Sequence, residues 1–133
     1  MKIIAMMLCI LCIIILFHVH LKRIEGLKYI ELARISEGLG KFDDTVYFAL
    51  KGLEANPYNI LLNNFAGVAL LKKKMYKESL SFFNTSLKYY PNQLNLLVNM
   101  TYSHVYIGNK EKSLEFAERI ERIKPSYVDR INQ

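Results

Sequence analysis

The most reactive side chains in the chain are Cys9 and Cys12, set in the CxxC spacing that makes a working thiol pair in a polar setting. Here both sit inside an apolar run, which lacks the polar surroundings that favour thiolates. At i and i+3 they share one helix face, so packing against another apolar helix is the expectation; palmitoylation or a crosslink is the sharper alternative. The histidines are no better placed for chemistry. His18 and His20 stand at i and i+2, on different sides of a helix, and mark the edge of the apolar run, while His104 is alone in its segment. No Cys/His cluster with metal-ligand spacing, glycine-rich phosphate loop or nucleophile elbow occurs in the sequence. Glu115 and Glu118 have Arg119 and Arg122 one helical turn away, the pattern of a solvated ion-paired face. The sequence therefore offers no catalytic residue, no metal site and no cofactor motif, and the expectation is a protein that binds without catalysis.

Charge points the same way. The net charge is +6, and most of the excess is local: residues 60–93 hold five Lys/Arg against one Asp/Glu. Residues 26–59 hold four against five, and residues 94–127 five against four. Lys72, Lys73, Lys74 and Lys77 form the basic patch. The bland reading is a solvated turn whose lysines are favoured by a helix C-terminus. The sharper readings are an acidic protein or anionic lipid headgroups. The patch is short and no aromatic-rich motif surrounds it, which disfavours nucleic acid.

The elements that carry these residues follow from a period. The prolines are Pro57, Pro91 and Pro125, and the two intervals between them are equal. Each blocks a helix and pushes the preceding residue out of helical conformation. Apolar residues at Leu61, Phe65, Val68 and Leu71, then at Leu80, Phe83 and Leu87, recur at helical spacing. Polar turns such as Gly40-Lys41-Phe42-Asp43 and Gly108-Asn109-Lys110 separate paired stretches. The spacing predicts helices near 26–38, 43–55, 60–73, 77–89, 94–107 and 111–123. Three all-α units result, 26–59, 60–93 and 94–127, with a short tail at 128–133.

In that frame the chain resembles the tetratricopeptide repeat (TPR) family, whose repeat has the same length as the proline interval, about 34 residues. The resemblance covers residues 26–127. The family's first large position falls on Tyr29, Asn63 and Leu97, its leucine on Leu32, Ala66 and Met100, and the small residue after it on Ala33, Gly67 and Thr101. In the second helix the small contact residue falls on Thr45, Ser79 and Ser113, the later aromatic on Ala49, Phe83 and Ala117, and the next small one on Gly52, Ser86 and Ile120. The middle unit fits best; Thr101, Lys110 and Ile120 depart from the pattern in the third. The resemblance implies a helix-turn-helix solenoid whose first helices line a concave, peptide-binding groove. Its groove positions map onto Leu27, Ile30, Arg34 and Glu37, then Leu61, Asn64, Val68 and Leu71 with Lys72 at the edge, then Asn95, Val98, Tyr102, Val105 and Tyr106. Of the carboxylate clamp that some members carry, only Asn64 matches. A hydrophobic or helical segment is thus a better ligand than a chaperone tail.

Ahead of the repeats, Ile3 to Phe17 are fifteen uninterrupted apolar residues, and His18-Val19-His20-Leu21 extends the stretch to nineteen. At ~1.5 Å per residue this reaches about 28 Å, close to the hydrocarbon thickness of a bilayer. The reading is a single transmembrane anchor at 1–21, followed by a basic juxtamembrane segment at 22–25. A cleaved signal peptide is the rival, though no small-x-small site follows the run. Bulky residues before Cys9 and Cys12 disfavour a lipoprotein. Lys2 against Lys22, Arg23 and Lys28 places the repeats on the cytoplasmic side by the positive-inside rule, with the opposite face close behind.

Three functions fit these features. The first is a membrane-anchored scaffold that holds a peptide or helix in its groove. The second is a structural subunit of a larger membrane complex, and the third an exported soluble repeat protein. After Pro125 only a turn with Tyr127, Val128 and Ile131 is expected to close the last unit. That leaves Leu114, Phe116, Ile120 and Ile123 as an open face for a partner or a second copy.

Overall fold

Proline cannot extend a helix through its own position, and each of the three ends one two residues upstream. The computed structural model describes residues 1–125, which form six helices: α1 (Lys2–Gly38), α2 (Phe42–Ala55), α3 (Ile60–Lys72), α4 (Tyr76–Tyr89), α5 (Leu94–Tyr106) and α6 (Lys110–Ile123). No strand occurs among the described residues. The turn expected around Tyr127, Val128 and Ile131 and the tail at 128–133 lie outside them. Helices α2 to α6 begin and end within one residue of the positions that the sequence predicts.

The exception is the first helix, for which the sequence places a start near residue 26. In the structure the helix runs unbroken from Lys2 to Gly38, 37 residues or about 55 Å. Lys22, Arg23 and Glu25 are good helix formers, and Gly26 alone costs only about 1 kcal/mol relative to alanine. With no proline or cap between Leu21 and Leu27, nothing stops the helix. Its first half is wholly exposed, from Ile3 to Leu21. It is the one segment among the described residues long and apolar enough to cross a membrane, and a signal sequence has the same make-up.

Within each unit the two helices form an antiparallel hairpin, and its turn recurs at the proline interval. Gly40, Lys74 and Gly108 all take positive φ, at 70°, 65° and 77°. The following amide closes each helix end by bonding five residues back: Lys41 N–H to Ser36 O, Met75 N–H to Leu70 O and Asn109 N–H to His104 O, each 2.9 Å. This six-to-one bond with a left-handed residue before it is a Schellman ending. Glycine takes that backbone without a Cβ penalty; Lys74 takes it at a cost of roughly 1–2 kcal/mol.

Helices α1, α3 and α5 lie side by side, α3 touching both neighbours, while α2, α4 and α6 form the outer layer. One apolar cluster joins the first two units: Ala33, Ala49, Leu62 and Ala66, with Ile30, Phe48, Leu53, Phe65 and Phe82 against it. A second joins the last two: Leu80, Phe83, Leu96, Leu97, Met100, Phe116 and Ile120. Phe83 is fully buried because Gly67 gives its ring room; a Cβ there would lie 2.4 Å from Cε1. The hydroxyls of Ser79 and Ser103, both buried, meet at 3.0 Å and tie α4 to α5. Asn63 departs from the large residue of its register and does a different job. Its amide donates to the carbonyls of Pro57 at 3.0 Å and Asn59 at 2.8 Å, fixing the turn that enters α3.

The open face expected on the last unit is corrected in part. Phe116 and Ile120 turn inward and are buried, because helical spacing aligns them with Ser113 towards α5; Leu114 and Ile123 remain exposed.

Candidate functional site

Side-by-side packing of α3 and α5 leaves a cleft along the inner face. On α3, Asn64, Val68 and Lys72 stand at successive intervals of four and so form one stripe. Opposite them lie Gln93, Asn95, Leu96, Val98 and Asn99, at the start of α5. The cleft encloses about 450 Å³. Its floor is aliphatic, its rim carries four side-chain amides and its end carries a cation. Asn64 is half-buried, and its Oδ1 is out of water with no hydrogen-bond partner among the described residues.

The groove residues expected from the sequence do not all meet here. Asn64, Val68, Asn95, Val98 and Lys72 do; Leu71 is half-buried beside the stripe. Tyr102, Val105 and Tyr106 are exposed further along α5. Tyr106 also stacks on Tyr76 of α4, centroids 4.6 Å apart and planes 9° from parallel. Arg34 is exposed on α1 and turned onto its own helix, where its guanidinium forks onto Glu31 at 2.6 and 3.1 Å. That hydrogen bond holds the Glu31 carboxyl below its ordinary range. Glu37 is half-buried at the end of α1. Leu27 and Ile30 line a different cleft of about 550 Å³, formed with Val19, Lys22, Arg23 and Gly26 of α1 against Gly52, Ala55, Asn56 and Asn59.

Gln93 and Asn99 are not among the groove residues that the sequence suggests. Asn99 follows Asn95 by one turn, so helical spacing alone contains the signal. Gln93 holds the place in its unit that the helix cap Asn59 holds in the unit before, but its side chain makes no cap bond and reaches the cleft instead.

The basic patch divides. Lys72 joins the cleft, Lys73 bonds to Asp43 across the α2–α3 boundary, and Lys74 occupies the left-handed turn position. Lys77 stands exposed at the start of α4.

Chemically, the arrangement binds rather than reacts. Amides both donate and accept, which suits a peptide backbone, and the floor suits an apolar side chain. Several carboxylates lie on exposed faces in i,i+3 pairs with cations, Glu54 with Lys51 and Glu115 with Lys112. No three His, Cys, Asp or Glu side chains gather among the described residues. Burial, reinforced by Lys112, pushes His104 below its ordinary pKa against a smaller pull from Glu115. Its ring stacks on Phe116 with centroids 5.6 Å apart.

An all-helical solenoid of equal helical hairpins with an inner cleft is the TPR fold. Solved TPR structures superpose on it. The first TPR of Spaghetti (RPAP3) bound to the HSP90 peptide SRMEEVD matches with a TM-score of 0.74 at 19% identity, over 81% of this chain and 86% of that one. The first TPR domain of human RPAP3 matches at 0.69 and 20% identity, over 80% and 84%. MamA from Desulfovibrio magneticus RS-1 matches at 0.74 and 18% identity, over 78% of this chain and 59% of that one. No protein-family model matches the chain, and no curated protein sequence matches it.

Proposed function

We propose that this chain is a membrane-anchored scaffold that holds a peptide or helical segment of another protein between α3 and α5. The observation that carries the reading is the α3–α5 cleft with its unpartnered Asn64 oxygen. A buried acceptor left unpaired costs roughly 1–3 kcal/mol, and a ligand N–H that reached it would recover that. The Spaghetti TPR with its bound peptide supports a peptide-holding role for the fold. The sequence lacks most of the carboxylate clamp, so the preferred ligand is an amphipathic segment: an apolar side chain on Val68 and Leu96, backbone on the amides, and an acidic residue near Lys72.

The test is fluorescence anisotropy of labelled amphipathic peptides with the full chain in mild detergent. Asn64→Ala, Val68→Glu and Asn99→Ala, all on the cleft wall, are each expected to weaken binding about tenfold or more, as loss of one well-placed contact does. Glu54→Gln on the outer layer should leave it unchanged. Groove variants that bind like the parent chain would refute the reading.

A second reading, a fixed subunit of a membrane complex, is favoured by one feature. Helix α1 passes from the apolar run into the repeat without a flexible joint, and a mere tether needs no such rigidity. Exchange of residues 3–21 for an unrelated apolar helix separates the two: a scaffold keeps its peptide binding and its partners, and a subunit loses its assembly.

A further inference from the structure

The solenoid has two ends, and the direction of α1 decides which of them faces a membrane. Because α1, α3 and α5 share one direction, the turns entering α3 and α5 lie at the end from which the apolar half of α1 projects. The opposite end carries Gly40, Lys74 and Gly108. The cleft that unites Val19, Lys22, Arg23 and Gly26 with Asn56 and Asn59 fixes this placement directly. From Leu21 to Gly26 the helix advances by about 7 Å. The polar headgroup layer on each side of a bilayer is about 5–8 Å thick. If the apolar run ends at Leu21, the turn at 56–59 stands at headgroup depth.

That end has the make-up of a membrane interface. Tyr58, Tyr89 and Tyr90 are exposed there, at 62%, 45% and 53%. Tyr58 from the turn before α3 meets Tyr89 at the end of α4 edge-on, with centroids 6.2 Å apart, so the rings form one platform. Lys88 lies beside it, its ammonium 6.0 Å from the centre of the Tyr89 ring. Tyrosine concentrates at headgroup level because one edge of the ring is apolar and the other carries a hydroxyl. Lysine ammonium groups within a Debye length of an anionic surface are drawn to it. The patch of Lys72, Lys74 and Lys77 is more basic, yet it lies at the far end of α3, about 20 Å away and beyond the reach of the same headgroups.

Resting on the reading of residues 3–21 as a membrane span, we propose that the turn end of the repeats, through Tyr58, Tyr89, Tyr90 and Lys88, docks on the anionic headgroup layer of the membrane that holds the span. The repeats then stand on the bilayer with the Lys72–Lys77 end pointing away.

The chain contains no tryptophan, so a single introduced one reports its own position. Three full-length variants are reconstituted into vesicles of phosphatidylcholine with a minority of phosphatidylglycerol: Leu11→Trp in the middle of the run, Tyr89→Trp on the platform and Tyr106→Trp at the far end. Each is quenched with lipids labelled in the headgroup region or deep in the acyl chain. Docking predicts that Trp at 11 responds to the deep label, and that Trp at 89 responds to the shallow label several-fold more than Trp at 106. Lys88→Glu in the Tyr89→Trp background should reduce that response. If Trp at 11 is quenched but positions 89 and 106 respond alike, docking is wrong and the span stands; the platform then faces water or another protein. If Trp at 11 is not quenched, span and docking fall together.

Discussion

Replacing Gly67 by alanine tests how the repeat is held together. A Cβ at this position would lie 2.4, 2.7 and 2.9 Å from Cε1, Cδ1 and Cζ of Phe83, where carbon atoms normally keep ~3.5–4.0 Å apart. Overpacking costs roughly 1–3 kcal/mol, and three contacts under 3 Å to one buried ring put this case at about 2–3 kcal/mol. With about 1 kcal/mol returned by the better helix preference of alanine, a net loss of about 1–2 kcal/mol is expected. Phe83→Ala alone should cost about 3–5 kcal/mol, since the ring is fully buried. With the ring gone the obstruction disappears, and Gly67→Ala should then gain up to about 1 kcal/mol. The two changes are thus coupled by about 2–3 kcal/mol, well outside simple additivity. The sequence already contains this exchange: where the Gly67 position carries a Cβ the Phe83 position is small, in the pairs Ala33 with Ala49 and Thr101 with Ala117. The assay is urea unfolding of the full chain in mild detergent, followed by far-ultraviolet circular dichroism. With a slope of roughly 1–3 kcal/mol/M, Gly67→Ala should lower the midpoint by about 0.3–2 M. An unchanged or raised midpoint in the parent background, or a coupling near zero, would refute this packing argument.

Three further outcomes are expected. Lys74→Gly removes a left-handed lysine costing about 1–2 kcal/mol at the expense of about 0.5–1 kcal/mol of glycine freedom; thermal melts should rise by about 2–5 °C. Asn59→Ala removes the side chain that accepts from Leu62 N–H at 3.1 Å and should cost about 1 kcal/mol, whereas Gln93→Ala, which makes no cap bond, should stay within about 0.5 kcal/mol. His104 binds a proton less readily folded than unfolded. Its contribution is therefore complete above the unfolded pKa of about 6.5 and is lost as the pH falls through and below that value. Melts at about pH 7.5 and about pH 5.5 should differ more for the parent chain than for His104→Phe.

Much of the fold is legible because its signals are local. A proline stops a helix wherever it stands, so Pro57, Pro91 and Pro125 reveal the ends at Ala55, Tyr89 and Ile123. Gly40 and Gly108 announce their turns, while Lys74 takes the same backbone unannounced, since lysine has no turn preference. Composition hides the continuity of α1: the change from apolar to charged at Lys22 looks like a boundary, although the backbone has no reason to stop there. The α3 side of the cleft is what the family resemblance implies, and helical spacing explains why Asn64, Val68 and Lys72 share one stripe. What spacing cannot give is which residues of antiparallel neighbours meet. Tyr76 and Tyr106 stack, as do His104 and Phe116, and Arg119 of α6 donates to the Pro91 carbonyl in the turn between α4 and α5. These pairs depend on how two helices are set against each other, which no single helix encodes.

The unbroken α1 makes the stretch between Leu21 and Leu27 a phase setting. In a helix each residue turns the chain by about 100° and advances it ~1.5 Å. Deleting one residue there would swing the α3–α5 cleft through about 100° relative to Cys9 and Cys12 while moving it hardly at all. Inserting seven would return the cleft to within about 20° of its original bearing and lift it about 10 Å. The direction in which the cleft faces is thus written into the register of a few charged residues that never touch it.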